Sequence, residues 1–515
     1  MLGRYSDFFC TPQKKHDNLE ENKRSFFLEL TQEQREIVES KSRIVLVNAY
    51  AGTGKTSTLV EYCKARKDKK MLYLAYNSSM AKEARKKFSG LKNVFCTTIH
   101  SLAYSKLGDE IKAYKKRIGK ASLTAVDTHK YFLNTKYPYF FGNLLLKLLK
   151  KFINSEYTIE EVLKQCNDEE RKIADYLPKL WADILTNEDM PFEHDFYLKL
   201  YQLSRPDLSE FEYILVDEAQ DLNPVMYDIV YKQTAIRVFI GDTYQKIYGF
   251  RNCINALELL KDNPASEIFF LTQTFRCPSY IVKDANPYLF LLKAQKPLVG
   301  KEILFDKNVL QKAHKECIIC RTNARVFDYV VSNSHIKFHF VGGTEGYNFN
   351  DILDIALLHS KNLEYRRFIK NKFYANFMDH KELALHIKES NDVEAKTRLM
   401  IFYKYCKVCN LFKTIKGIKQ YSVSEADFII TSAHKSKGLE WDYVRIEDDF
   451  YSIKERYKEA MEKPNFPLPI KVPKEELNLL YVAITRAKKY VDIPEQYLVG
   501  NEMSEISKAI ILVEE

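Results

Sequence analysis

The chain has 515 residues, with 79 Lys+Arg against 69 Asp+Glu, a formal net charge of +10, and it is 46% hydrophobic and 29% charged. That composition excludes a largely disordered chain, and at roughly 100–200 residues per domain the length predicts about three to five domains. Ten cysteines without a dense framework exclude a disulfide-built secreted scaffold, and the apolar runs, such as 140–152 (FFGNLLLKLLKKF), are too short and too broken by Lys to cross a membrane.

Residues 1–29 carry charge where a signal peptide needs an apolar stretch. They are expected to be a disordered extension of a soluble intracellular protein with no membrane partner. From Leu30 the texture changes. Short apolar runs at 44–48 (IVLVN) and 71–76 (MLYLAY) each lead into a helical pattern, the signature of buried parallel strands followed by helices. The same texture predicts strands at 213–216, 238–240, 268–271, 317–320, 428–431 and 443–446. Between about 102 and 205, and again between 345 and 425, the rhythm gives way to helix. Two α/β domains are expected, each with a helical insertion: 30–101 with 206–277 around the insertion 102–205, then 278–344 with 426–515 around the insertion 345–425.

The basic excess is uneven. From Ser101 to Lys151 there are eleven Lys/Arg against Asp109, Glu110 and Asp127, a net +8. Tyr104, Tyr114, Tyr131, Phe132, Tyr137, Tyr139, Phe140 and Phe141 are interleaved with them. Cations that hold phosphate and rings that stack on bases suit single-stranded nucleic acid. A solvated helical face over an aromatic core accounts for the same pattern.

Residues 49–56 read AYAGTGKT directly after the first strand, a P-loop in which Ala49 replaces the first Gly. Backbone N–H groups of Ala51, Gly52, Thr53 and Gly54 are expected to close around phosphates at the positive end of the helix that continues through Ser57. Lys55 would bind the β/γ-phosphates and the Thr56 hydroxyl would ligate Mg²⁺. At 213–221 (YILVDEAQD) a strand delivers Asp217, to hold Mg²⁺ through water, and Glu218, to orient or deprotonate the attacking water. ATP and Mg²⁺ are the expected cofactors.

The P-loop, DEAQD, 240–245 (IGDTYQ), 434–440 (HKSKGLE) and 481–488 (YVAITRAK) follow one another in the order of superfamily 1A helicases of the UvrD/Rep type, and the resemblance runs from Leu30 to about Tyr490. NAYAGTGKTSTL, TTIHSLAY, LTQTFRCP and ELNLLYVAITRAKK resemble the F-box-containing DNA helicases most closely. No F-box is legible in residues 1–29, so assembly into a ubiquitin ligase does not carry over. The resemblance implies two RecA-like P-loop cores, 1A and 2A, whose parallel sheets are flanked by helices, with insertions 1B and 2B at the two interruptions. The stretch 340–344 (FVGGT) resembles the turn that leads into 2B.

The resemblance also implies roles. Gln34 in LTQEQ would read adenine through its amide, Phe275 would stack on the base, and Glu440 would touch the ribose. Arg276 and Arg486 would reach the γ-phosphate as arginine fingers. Gln245 would bridge that phosphate to the nucleic-acid side. Tyr76, Asn77, Thr98, His100, Ser101, Tyr248, Phe250 and Arg251 would contact the strand, with Phe250 standing where relatives carry Trp. His434, Ser436 and Lys437 would contact the strand or couple it to ATP.

The implied activity is that of an ATP-dependent single-stranded DNA translocase and 3′→5′ helicase. It would act on single-strand/duplex junctions in repair and recombination, and the removal of recombinase filaments is a further implication. A monomer is expected, nuclear in a eukaryote and cytoplasmic otherwise. An RNA helicase of the other superfamily 1 branch is the first rival, opposed by HKSKGLE and QTFRCP, which look like the DNA branch. A scaffold with a dead ATPase is the second, opposed by the complete set of phosphate-site residues. Tyr5, Phe8 and Phe9 faintly resemble a sliding-clamp-binding box whose leading Gln is replaced by Leu2; a sticky terminus competes with that reading. Cys317/Cys320 and Cys406/Cys409 have zinc-ligand spacing but fall in different elements, which favours buried thiols over metal.

Overall fold

The computed structural model describes residues 30–249, 253–303, 315–360, 362–389, 393–463 and 467–514. The disordered extension, the clamp-like stretch at Tyr5, Phe8 and Phe9, and the strand contacts expected of Phe250 and Arg251 lie outside the described residues.

Six strands form the first sheet: β1 (Ile44–Ala49), β2 (Met71–Ala75), β3 (Val94–Thr98), β4 (Tyr213–Asp217), β5 (Ile236–Gly241) and β6 (Ser266–Leu271). Their order is β3-β2-β4-β5-β1-β6, and every neighbouring pair is parallel. Such a sheet is covered on both faces, and β1 shows why it reads as one apolar run. Ile44 and Leu46 enter one core, Val45 and Val47 the other. β3 escapes the apolar-run pattern because it is an edge strand (VFCTT) with Phe95 exposed and two threonines at its end.

Next come β7 (Gln273–Pro278) and β8 (Val299–Lys301), a small parallel pair. They are followed by β9 (Cys317–Cys320), β10 (Phe338–Phe340), β11 (Phe428–Ser432), β12 (Trp441–Ile446), β13 (Ile470–Pro473), β14 (Ala487–Asp492) and β15 (Ile510–Val513). The second sheet is parallel throughout in the order β10-β11-β9-β12-β14, while β13 pairs with β15. Cys317 and Cys320 lie three residues apart on β9, an odd offset, so they point to opposite faces and enter different cores. They cannot share a metal.

The crossover from β3 to β4 carries a helical block, and so does the crossover from β10 to β11. In the first block the helix Pro138–Ile153 is started by Pro at its first turn and buries Leu145, Leu148, Leu149 and Phe152, spaced to line one face. Each such side chain contributes about 2 kcal/mol on burial. The basic aromatic stretch divides between the two explanations of its pattern. Phe132 is buried and Tyr114 stacks on Phe192 with centroids 4.2 Å apart, whereas Tyr137, Tyr139 and Phe140 are more than half exposed.

Candidate functional site

β1 ends at Ala49, and the chain turns through Gly52 (φ +71°) and Gly54 (φ +82°) into the helix Lys55–Lys64. Gly52 is required twice over. Its φ is left-handed, and a Cβ there would stand 2.5 Å from Cβ of Arg276 and 2.7 Å from Oγ1 of Thr274. The loop is braced by its neighbours. The Thr53 hydroxyl donates to the Tyr50 carbonyl at 2.8 Å, the Phe275 N–H to the Gly52 carbonyl at 2.8 Å, and the Ala51 N–H to the Tyr481 hydroxyl at 3.1 Å. The first turn of the following helix presents unpaired N–H groups, Lys55 and Thr56 at one point.

β4 ends beside this loop and brings the acidic pair. Lys55 Nζ lies 3.1 Å from Glu218 Oε1. Burial works against the Lys55 ammonium, but Glu218, Asp217 and Asp242 outweigh it and hold its pKa above the ordinary lysine value. The same field splits the two acids. Burial and the neighbouring Glu218 charge push Asp217 up, while Lys55 and Lys437 overcome burial at Glu218 and hold it down. Asp217 also accepts from the Tyr73 hydroxyl. Glu218 sits at φ 54°, ψ 47°, a left-handed conformation that costs a non-glycine residue about 1 kcal/mol or more. It is held there by Lys55 and by Gln220, whose Nε2 donates to Glu218 Oε2 at 2.6 Å.

The far wall comes from the second half of the chain. Arg486 is 1% exposed and donates to the carbonyls of Val482 (2.9 Å) and Leu439 (3.3 Å) and to Gln245 Oε1 (3.3 Å). Among the described residues no carboxylate pairs with it. Burial, with Arg276 as the next largest influence, lowers its pKa to about 9. Gln245 in turn donates to Asp242 (2.7 Å), which accepts from the Tyr481 hydroxyl (3.2 Å). A continuous polar chain therefore runs from Arg486 to the backbone of Ala51. Lys437, 8% exposed at its side chain, reaches across to pair with buried Asp221 and donates to the Gln245 carbonyl at 2.7 Å. Arg276 pairs with Glu440 at 2.7 Å and donates to the Thr485 carbonyl at 3.1 Å.

Other expected site residues are placed differently. The Gln34 amide does not point away from the protein. Its Oε1 accepts from the Thr31 N–H (3.0 Å) and its Nε2 donates to the Thr58 hydroxyl (3.1 Å), so it caps one helix and braces the P-loop helix, leaving one N–H and one lone pair of its amide. Phe275 lies over Gly54, where a Cβ would meet its ring at 3.5 Å.

Tyr76 and Tyr248 do meet, stacked with centroids 5.8 Å apart and planes 10° from parallel, and Lys437 Nζ lies 5.0 Å from the Tyr248 ring centroid. His434 lies beside Tyr248 and 3.6 Å from Glu475. Four residues expected to contact the strand make hydrogen bonds within their own turns. Asn77 and Thr98 are N-caps, accepting from the N–H groups of Met80 and Ser101, and Thr98 also donates to the Ser101 hydroxyl. Ser101 thus serves its own helix turn. Ser436 is fully buried and donates to the Ala433 carbonyl at 2.7 Å. The Asn77 amide and the Thr98 hydroxyl cap helix starts, and the Ser436 hydroxyl bonds the backbone of its own turn. His100 pairs with Asp195 at 3.1 Å.

Asp221, Asp242 and Tyr481 belong to motifs legible in the sequence but were not expected to act. Tyr73 carries no signal at all, being one apolar-looking position in a buried strand.

Comparison with known proteins agrees with this geometry. Residues 30–263 match the UvrD/REP helicase N-terminal domain, and residues 386–493 match the UvrD-like helicase C-terminal domain. The chain is 32% identical to F-box DNA helicase 1 of Gallus gallus over 90% of its own length and 48% of the relative's. It is 28% identical to F-box DNA helicase protein 1 of Schizosaccharomyces pombe over 89% of its length and 57% of the relative's. It is 25% identical to the ATP-dependent DNA helicase PcrA of Staphylococcus epidermidis over 66% of its length. The chain spans about half the length of the F-box relatives it matches. With the P-loop, the acidic pair and the arginines of the second half assembled on two parallel sheets, the chain belongs to the UvrD/Rep helicase family.

Proposed function

We propose that this protein is an ATP-dependent DNA helicase that translocates along single-stranded DNA. The carrying observation is Arg486, a fully buried guanidinium with no carboxylate partner among the described residues, tied through Gln245 to the acidic cluster beside the P-loop. A buried cation without an anion is costly, and a nucleotide's terminal phosphate is the anion that would relieve it. Lys55 would exchange Glu218 for phosphate, which frees Glu218 to orient water. Arg276 would leave Glu440 for the same phosphate. Thr56 and Asp217, one hydroxyl and one carboxylate beside a phosphate site, fit Mg²⁺, which keeps waters and takes substrate oxygens; the bound ion would neutralise phosphate charge. Among the described residues no three His, Cys, Asp or Glu side chains gather as a metal site of their own.

With the cleft shared between two cores, hydrolysis would depend on their closure; the assignment 1A, 1B, 2A and 2B at the boundaries given above rests on the resemblance. Lys437 supplies the coupling. It lies near the Tyr248 ring of the aromatic pair and ion-pairs with Asp221 of the acidic cluster, so a base entering between Tyr76 and Tyr248 would shift a charge at the ATP side. DNA as the substrate is supported by the relatives' names. The 3′→5′ polarity, repair role, recombinase or clamp partners, monomeric state and nuclear location rest on the resemblance. Strand displacement on duplexes with a 3′ or a 5′ single-stranded tail tests the reading: unwinding of the 3′-tailed duplex is expected. Unwinding of only the 5′-tailed duplex would reverse the polarity, and equal action on RNA tails would favour the RNA branch.

The coupling has a pH signature. Burial raises Asp221 and Asp242 to about 6 each, against Lys437 at the first and Lys55 at the second. A carboxyl with a raised folded pKa binds more protons folded than unfolded. The stability this pair contributes therefore grows as pH falls from about 6 toward about 4 and is lost as pH rises through 6. Coupling runs the other way, because protonating Asp221 removes the anion that holds Lys437. DNA-stimulated ATP turnover is expected to fall as pH drops through about 6 without loss of fold. Asp221→Asn should slow turnover at neutral pH and flatten that acid limb; an unaltered pH profile in the variant would sink the assignment.

A further inference from the structure

The residues 64–93 carry ten Lys/Arg against Asp68 and Glu83, a net +8 that equals the charge of the basic aromatic stretch yet is unused by the site above. They fold into the last residue of the helix Lys55–Lys64, β2, the helix Ser78–Lys87 and the two loops that precede β2 and β3. In a parallel sheet those loops lie at the edge opposite the strand ends that carry the P-loop and Asp217. Tyr76, at the far end of β2, is a strand length of about 17 Å away.

Between the two loops is a concavity of about 630 Å³ lined by Lys64, Lys67, Lys87 and Lys92, with Val60 and Leu91 in its floor. Its walls are rigidly held. Arg66 donates to the carbonyls of Val38 (2.8 Å), Tyr62 (3.1 Å) and Ser40 (2.6 Å), which pins the loop before β2. Asn93 Nδ2 donates to the carbonyls of Arg66 (3.2 Å) and Lys69 (2.8 Å), which ties the second loop to the first. Lys64 and Lys87 pair with Glu61 and Glu83 on their own helices, and Lys69 and Lys70 with Glu212 and Glu210. Among the described residues Lys67 and Lys92 have no carboxylate within ion-pair distance; Lys82 and Lys86 of the helix Ser78–Lys87 share that lack but lie outside the concavity, so two of the four uncompensated ammoniums line it.

We propose that this concavity is a second phosphodiester-binding site, holding a segment of nucleic acid other than the strand at the ATP-coupled face. Lysine ammoniums on a fixed frame suit phosphates as point charges. The arginines that could fork onto carboxylates are committed to backbone, Arg66 as above and Arg85 to the Cys96 carbonyl at 3.0 Å. An apolar floor of two side chains is too small to seat an amphipathic acidic helix, which needs anchors over two turns. On a translocating enzyme, such a site would hold the duplex arm or a returning strand and resist dissociation between cycles.

The test uses the full chain with Lys67→Glu and Lys92→Glu together, and rests on the chain acting on nucleic acid. Binding to a long forked duplex is measured against salt, and ATP turnover is measured on a short single strand that fills only the ATP-coupled face. The slope of log affinity against log salt should become shallower by about 2 on the fork. Turnover on the short strand should be unchanged, and the Lys67→Arg, Lys92→Arg variant should restore the slope. An unchanged slope on the fork overturns the site, as does competition by polyglutamate for the unaltered concavity with fork binding indifferent to the substitutions. Absence of DNA-stimulated turnover in the unaltered chain would instead sink the helicase reading itself.

Discussion

Lys55→Ala is expected to lower DNA-stimulated ATP turnover by at least about 10²-fold, because it removes the one side-chain cation on the P-loop where β/γ-phosphate charge must be met. The structure adds a second consequence. Lys55 is the direct ion-pair partner of Glu218, in a pocket that also holds Asp217 and Asp242. Removing one member of a buried pair strands the other, at a cost of about 3 kcal/mol or more. The variant should therefore melt earlier as well as fail to turn over. Glu218→Gln added to Lys55→Ala separates the two effects: the melting temperature should recover, and turnover should not. Recovery of both would mean that Lys55 serves the fold alone, and undiminished turnover in the single variant would end the phosphate assignment.

Arg486 carries the second large effect. As an arginine finger it is worth about 10³-fold or more in turnover, with ATP affinity altered only a fewfold. Its burial dictates which substitution is informative. Arg486→Ala would take the Arg486 donor from the Leu439 carbonyl, leave the Val482 carbonyl to the Thr485 hydroxyl (3.1 Å), and open a cavity, so it should also destabilise by about 2–4 kcal/mol. Arg486→Lys keeps a cation of similar reach and loses the planar fork that addresses Gln245 and the phosphate together. ATP binding by Arg486→Lys, read by displacement of a fluorescent nucleotide, should be nearly normal while turnover falls about 10²-fold or more. Full turnover in Arg486→Lys would refute the finger role.

Much of this was readable along the chain because it depends on local patterns. A strand buried on both faces must be apolar at every position, so IVLVN and YILVD declare themselves, and a loop that closes on phosphate needs small residues followed by Lys and Thr. Where burial is one-sided or the strand lies at an edge, the pattern fades. β3 and β10 were missed for that reason, and β14 because its buried and exposed residues mix as AKKYVD. The local bonds of Thr98 and Ser436 were illegible for a different reason. A short hydroxyl side chain in a helical turn has backbone groups within reach, and nothing in a motif says whether it has already bonded to one.

The sequence by itself determined the family, the two interrupted α/β rhythms and the identity of the phosphate-site residues, because each is encoded in residues adjacent along the chain. Only the tertiary structure decided what those residues do to one another. Lys55 rests on Glu218, Arg486 reaches Ala51 through Gln245, Asp242 and Tyr481, and Lys437 closes on Asp221, each joining ends more than 150 residues apart along the chain. Charge works by distance in space, and burial multiplies it by excluding water. Neither quantity exists until the chain folds, and the same holds for the lysines of residues 64–93, a scattered basic tract until two helix ends and the loops after them bring four of them around one concavity.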